Sequence, residues 1–138
     1  MNPESLNAPE TYNIHVETVV KASPARVYEA WLDSEAHSEM IGRVVQGSPQ
    51  VGGTFLRGGV HSGVIVELIP GKRIVEAWRH RDWKEGDFSL LTLTFEQDGN
   101  GTKIILDHRG IPFYFQGRLE KGWGETYLPS VRKYFGGS

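Results

Sequence analysis

Apolar and polar residues alternate near the start of the chain, between Tyr12 and Val20. The even-numbered residues of this run are apolar or β-branched, and most of the odd-numbered residues are polar or charged. A period of two is typical of a strand with one buried face. We therefore predict a first β-strand here, preceded by a loose N-terminal arm at residues 1–10.

Two helices are predicted after this strand. Ser23 followed by Pro24 is a typical helix start, because Ser caps free N–H groups and Pro needs no hydrogen bond at the first helical position. The apolar face of this helix consists of Val27, Trp31 and Leu32. A second, shorter helical segment is predicted at residues 33–40.

The middle of the chain contains five alternating segments separated by short runs rich in Gly, Pro, Asp and Asn. Such runs are typical of turns. The predicted strands are Thr54–Arg57, Val60–Ile69, Arg73–Arg81, Asp87–Glu96 and Thr102–Arg109. Because strands joined by short loops pair antiparallel, we predict a single antiparallel sheet.

The last predicted element is a long helix at about residues 117–135. Trp123, Tyr127 and Val131 recur every four residues, which places them on one helix face. The whole order of elements predicts one α+β domain, residues 11–138, in which this helix covers one face of the sheet.

Three residues of this helix are poor helix formers: Gly122, Gly124 and Pro129. An interior Gly costs roughly 1 kcal/mol and an interior Pro about 3 kcal/mol relative to Ala. Pro129 is expected to kink the helix, since it cannot donate to the carbonyl of Glu125. For the two glycines, close packing and mobility of a pocket wall both remain open.

Composition excludes several classes of function. The chain has 138 residues, 17 acidic and 15 basic, a net charge of −2 and no cysteine. Nucleic acid and anionic membranes are therefore not expected as partners, and thiolate chemistry is excluded. No run approaches the roughly 20 apolar residues that cross a bilayer, so the expected location is cytoplasmic. We expect a monomer or a weak homodimer.

Polar residues that carry chemistry are sparse. The five histidines have no metal-ligand spacing, so no metal or cofactor is expected. His80 and His108 would meet if their strands were neighbours. Glu76 shares a strand face with Trp78 and His80, but the pattern leaves open whether this carboxylate is buried.

Large apolar side chains are numerous, and they either fill the core or line a gap between sheet and helix. In the second interpretation His108 supplies a polar group to a pocket for an apolar ligand. The candidate ligand-binding residues are Trp31, Phe55, Trp78, Phe88, Leu93, His108, Phe113, Trp123 and Tyr127.

A series of motifs resembles the family of activators of heat-shock protein 90 ATPase homologues, over residues 11–135. The motifs are A-S-P at 22–24, G-G-T-F at 52–55, P-G-K-R at 70–73, T-L-T-F at 92–95, H-R-G-I-P at 108–112 and G-W at 122–123. The resemblance implies a helix-grip fold, as in START-like and birch-pollen-allergen-like proteins, with a curved antiparallel sheet around a long C-terminal helix. It also implies a single-domain member of bacterial type and a heat-shock chaperone as a partner.

Three functional hypotheses follow. The first is a non-enzymatic module that binds a small apolar or amphipathic ligand between helix and sheet. The second is a co-chaperone-like protein that docks through the loop Trp83–Phe88 and the end of the last helix. The third is a hydrolase or cyclase in which His108 or Glu76 polarises a ligand, marked by a shifted pKa and a charged partner.

Overall fold

The computed structural model describes residues 10–136. The predicted arm lies outside the described residues except for Glu10. The described chain forms seven β-strands in one antiparallel sheet, in the order β1-β7-β6-β5-β4-β3-β2. These strands are β1 Thr11–Val20, β2 Val45–Gly47, β3 Thr54–Arg57, β4 His61–Ile69, β5 Arg73–His80, β6 Ser89–Asp98 and β7 Gly101–Pro112.

The predicted single antiparallel sheet is confirmed, and the predicted strands are present with shifted ends. The largest change is in β7, which continues to Pro112 because β1 pairs with it along its whole length. The sequence prediction missed β2, whose three residues are too few to show a period of two. Irregular register in β1 and β4 marks bulges, which bend a sheet.

Helices α1 (Pro24–Leu32) and α2 (Ser34–Ile41) follow the first strand. The Ser23 hydroxyl accepts a hydrogen bond from the Arg26 N–H at 3.3 Å, so the predicted helix start is confirmed. Asp33 caps α2 in the same way, accepting from the Ala36 N–H at 2.8 Å. The second helix ends at Gly42, whose φ of 70° is the left-handed conformation that glycine adopts without strain.

The C-terminal helical segment has three parts: α3 (Arg118–Lys121), a π-helical turn (Gly122–Tyr127) and α4 (Leu128–Tyr134). In the π turn the Leu128 N–H donates to the carbonyl of Trp123, five residues earlier. Regular α-helical bonding begins again at Leu128, so Pro129 falls in the first turn of α4, where its missing N–H costs little. Among residues 10–136 no helix combines the length and apolar character that crossing a membrane requires.

The C-terminal segment packs on the sheet through the face that the sequence predicts. Trp123, Tyr127 and Val131 are all buried. They belong to one core with apolar residues of β5, β6 and β7, including Leu93 and Leu106. Burial of such large side chains supplies most of the stabilisation that holds the helix on the sheet.

A charged pair is buried within this core. Arg57 of β3 and Glu76 of β5 form two parallel hydrogen bonds, 2.8 Å from Nη1 to Oε1 and 2.5 Å from Nη2 to Oε2. Both side chains are almost completely buried. The orientation of Glu76, which the sequence leaves open, is therefore inward, where the guanidinium group neutralises its charge.

We predict that Glu76→Gln lowers the free energy of unfolding by about 3–5 kcal/mol, because it leaves the Arg57 charge buried without a partner. The double variant Arg57→Met with Glu76→Leu should cost much less, since it removes both charges. Urea unfolding measures both effects.

The matched control is Glu67→Gln, which removes the half-exposed pair between Glu67 and Arg73. This change should cost less than about 1 kcal/mol. Equal losses for Glu76→Gln and Glu67→Gln would show that burial of the Arg57 pair has no special cost.

Candidate functional site

A cleft of about 210 Å³ opens between the beginning of the C-terminal helical segment and one end of strands β4 and β5. We call it the helix–sheet cleft. Its lining is partly aromatic and partly cationic, and consists of Arg43, His61, His80, Phe115, Arg118, Leu119, Gly122, Trp123, Thr126 and Tyr127.

An aromatic layer, defined by Trp78, Trp83 and His108, lies next to the cleft and is buried. The Trp78 ring lies at the centre of this layer: its centroid is 4.7 Å from the centroid of the His108 ring and 5.4 Å from that of the Trp83 ring. It also packs against the rings of two cleft residues, with centroid distances of 4.8 Å to His61 and 6.0 Å to Trp123. The layer therefore gives the cleft a rigid, closely packed wall.

A chain of hydrogen bonds fixes the Trp123 ring. The Trp123 indole N–H donates to His108 Nδ1 at 3.0 Å, so the proton of the neutral imidazole lies on Nε2. His108 Nε2 donates to the Ser89 hydroxyl at 2.6 Å, and this hydroxyl donates to the Trp78 carbonyl at 3.1 Å. Every donor in the chain meets an acceptor, so the helix is held to β5, β6 and β7 by polar as well as apolar contacts.

A second polar contact holds the helix one turn further on. His37 Nδ1 donates to the Trp31 carbonyl at 2.8 Å, which leaves Nε2 as an acceptor for the Tyr127 hydroxyl. The Trp31 and Tyr127 rings also pack at 5.8 Å. Helix α2 and the C-terminal segment are therefore joined at the core end of the cleft.

Burial keeps these histidines neutral. It lowers the pKa of His37 to about 3, helped by the nearby charge of Arg57, and lowers the pKa of His108 to about 3, with His61 adding to the effect. The pKa of His61 also falls to about 3, mainly through burial and further through His80 and Arg43. Burial raises the pKa of the Tyr127 hydroxyl, so this group remains a hydrogen-bond donor.

Two arginine side chains from different parts of the chain line the cleft. Arg43 follows α2, and its side chain packs beside Gly58. A Cβ atom added to Gly58 would be only 3.1–3.2 Å from the guanidinium and Cδ atoms of Arg43. Arg118 begins α3 and lies over the Phe115 ring at 4.5 Å. Among residues 10–136 neither guanidinium group forms an ion pair or a side-chain hydrogen bond.

The nine residues predicted to bind a ligand fall in three places. Trp123 and Tyr127 line the cleft, and Trp78 and His108 lie in or beside its aromatic wall. Trp31, Phe55 and Leu93 are buried in the core. Phe88 and Phe113 are exposed and line a separate surface groove.

Eight of the ten cleft residues given above were not among the ligand-binding residues selected from the sequence, and they include Arg43, His61, His80 and Arg118. His61 and His80 are directly opposite each other on β4 and β5, which the hairpin between these strands could have revealed. Arg43 and Arg118 belong to no periodic pattern, so only the tertiary fold brings them together.

The structure bears on two sequence-based expectations about acid–base residues. His80 and His108 are not on neighbouring strands, because β6 lies between β5 and β7. His108 uses both ring nitrogens in hydrogen bonds, and Glu76 is held by Arg57. Neither His108 nor Glu76 lines the cleft, so their geometry gives no support to the hydrolase or cyclase hypothesis.

An antiparallel sheet that packs on a long C-terminal helical segment, with two short helices after the first strand, defines a helix-grip domain of the START-like class. The model of the family "Activator of Hsp90 ATPase homolog 1-like protein" matches residues 21–136, and the chain belongs to this family. The expected family and fold are thereby confirmed.

Relatives of known name agree with this assignment. Activator of 90 kDa heat shock protein ATPase homolog 1 from Homo sapiens is 30% identical over 127 residues, which cover 91% of this chain and 38% of the human protein. The chain thus spans well under half the length of this curated relative.

Solved structures show the same fold. An HSP90 activator from Plasmodium falciparum has a TM-score of 0.81 and 28% identity, covering 90% of this chain and 96% of that one. The Aha1 dimer from Colwellia psychrerythraea has a TM-score of 0.76 and 19% identity, covering 90% and 96%.

The buried histidines predict a loss of stability in mild acid. The pKa values of His37 and His108, the two completely buried histidines, are depressed from 6.5 to about 3 in the folded protein, so the unfolded chain binds more protons below pH 6.5. The stabilisation is complete above pH 6.5 and falls as the pH decreases towards 3. Each such histidine should contribute about 1.4 kcal/mol per pH unit.

Urea unfolding between pH 7.5 and 5, where carboxylates remain ionised, measures this slope. His108→Gln keeps an acceptor for Trp123 and a donor for Ser89, and it should reduce the slope by about one proton. An unchanged slope in this variant would contradict the assignment of His108 as a buried neutral imidazole.

Proposed function

We propose that this domain is a non-enzymatic module that binds a small, largely apolar ligand in the helix–sheet cleft. The observation that carries this proposal is the cleft itself: about 210 Å³ of space beside a close-packed aromatic wall, lined by Phe115, Trp123 and Tyr127. Apolar clefts with a few fixed polar groups are the usual form of small-molecule sites. The volume suits a ligand smaller than a typical drug.

The irregular helix supports this proposal. Added Cβ atoms at Gly122 and Gly124 would meet no atom within 4 Å, so close packing does not explain either glycine. Gly122 lines the cleft and begins the π turn, and π turns occur frequently at functional sites. A wall without a side chain at residue 122 leaves space for a ligand beside Trp123.

This proposal is tested by filling the space beside Trp123 with a larger side chain. We predict that Gly122→Leu weakens binding of a naphthalene probe at least about tenfold, because the Leu side chain occupies the cleft. Either of two probes, 2-naphthoate or 2-naphthamide, reports on the site. Binding is followed by NMR through the indole N–H signal of Trp123.

Gly124→Leu is the matched control, since this glycine is exposed, lies two residues away and does not line the cleft. It should leave probe binding unchanged, and circular dichroism verifies that both variants fold. The proposal fails if the wild-type protein binds neither probe at about 1 mM, or if both Leu variants bind like the wild type.

A second candidate function is contact with an Hsp90-type chaperone. This partner is suggested by the names of the human and Plasmodium relatives, and an exposed aromatic patch offers a surface for the contact. Phe88, Phe113 and Tyr114 are each about half exposed and line one groove of about 560 Å³. Exposed aromatic side chains that lie together are typical of protein interfaces.

Hydrogen bonds order this patch. The Tyr114 hydroxyl accepts from the Lys84 N–H at 2.9 Å and donates to the Asp87 carboxylate at 2.7 Å. The loop Trp83–Phe88, expected from the sequence as a docking loop, presents only Phe88 of its two aromatic residues, because Trp83 is buried against Phe115.

We predict that the double variant Phe88→Ser with Phe113→Ser binds the Hsp90-type chaperone of the same host at least about tenfold more weakly than the wild type, because it removes the two exposed rings. Surface plasmon resonance measures the affinity. Val66→Ser removes another exposed apolar side chain, on β4, and should have no effect. Absence of wild-type binding, or equal losses in both variants, would rule out this patch as the contact.

A further inference from the structure

The charges around the helix–sheet cleft are of one sign. Within residues 10–136, its lining includes two arginines, Arg43 and Arg118, and no aspartate or glutamate. Two carboxylates on the strand and turn beside the cleft have partners: Glu76 binds Arg57 inside the core, and Asp82 lies 3.7 Å from His80 and Arg81 in an exposed turn. The cleft therefore has two cationic groups without a counter-charge among residues 10–136.

The electrostatic effect of these arginines reaches into the cleft. Beyond the main effect of burial, Arg43 contributes to the lowered pKa of His61. For His80, burial again lowers the pKa, Asp82 opposes this, and Arg118 adds to the lowering. Both imidazoles are consequently neutral near pH 7, and the positive potential comes from the guanidinium groups.

Hydrogen-bond donors also outnumber acceptors here. Each guanidinium group offers up to five N–H donors. His80 Nδ1 accepts from the Asp82 N–H at 3.1 Å, so the proton of its neutral ring is on Nε2. A ligand that brings acceptors would give hydrogen-bond partners to the two guanidinium groups, which form no side-chain hydrogen bond within residues 10–136.

The apolar part of the lining is mostly aromatic, with Leu119 as its aliphatic side chain. Phe115, Trp123, His61 and His80 present ring surfaces, and the His80 and Phe115 rings pack at 4.7 Å. Flat rings bind flat apolar groups by offset stacking or edge contacts. Ring surfaces beside guanidinium groups suit a molecule with an aromatic body and an anionic end.

We propose that the ligand of this cleft is a small aromatic carboxylate, whose ring lies against Trp123 and Phe115 and whose carboxylate binds Arg43 and Arg118. This inference rests on the proposed binding function and specifies its ligand class. Arginine is the side chain that matches carboxylate geometry best, because its planar N–H groups form parallel hydrogen bonds.

The test compares 2-naphthoate with 2-naphthamide, which have the same body and nearly the same shape but differ in charge. In the wild-type protein 2-naphthoate should bind at least about fivefold more tightly. Raising NaCl from about 50 to about 500 mM should weaken the binding of the carboxylate and leave the amide unaffected.

Arg43→Gln with Arg118→Gln should remove the preference for the carboxylate, so that the two probes bind this variant with about equal affinity. Both residues are exposed, so the folded state should persist, and a thermal melt verifies this. Arg132→Gln is the matched control on α4, outside the cleft, and should retain the preference.

The outcomes distinguish the class of ligand from the existence of a binding site. Equal affinity for both probes in the wild type, or a preference that survives in the double variant, would overturn the assignment of an anionic ligand while the cleft remains a binding site. Binding of neither probe would overturn the proposed function as well.

Discussion

The C-terminal helical segment must bury two polar-tipped aromatic residues one turn apart, and the rest of the structure depends on where their polar atoms find partners. Trp123 donates to His108 of the sheet, and Tyr127 donates to His37 of α2. A buried N–H or O–H without a partner costs as much as several favourable apolar contacts provide. These two hydrogen bonds therefore hold the C-terminal segment against the sheet at Trp123 and against α2 at Tyr127.

This constraint also explains the cleft. The π turn from Gly122 to Tyr127 contains both aromatic residues, and it lets each reach its partner before regular helix resumes at Leu128. The space left beside the turn is not filled by the helix, because residue 122 has no side chain. The irregularity that weakens the helix thus keeps the cleft open next to a rigid aromatic wall. The arginines at the edge of the cleft give it a positive electrostatic potential.

Local pattern accounts for most of the fold. The alternation from Tyr12 to Val20, the Ser23 cap and the four-residue spacing of Trp123, Tyr127 and Val131 each appear in the structure as predicted. Pairs that depend on strand order do not follow from local pattern. Arg57 and Glu76 are on strands separated by β4, and β6 separates His80 from His108. The cleft arginines follow α2 and begin α3, far apart in the sequence, so only the assembled fold shows that they line the same cleft.

The helix is held away from one end of the sheet, and we propose that an anionic aromatic molecule binds in the space between them. A crystal structure of the protein grown with 2-naphthoate tests this claim most directly. We predict density for the ring beside Trp123, with the carboxylate at Arg43 and Arg118 and the Trp123–His108 hydrogen bond intact. A cleft closed by its own side chains, with no probe or with the probe bound elsewhere, would contradict a binding site for an anionic aromatic molecule here.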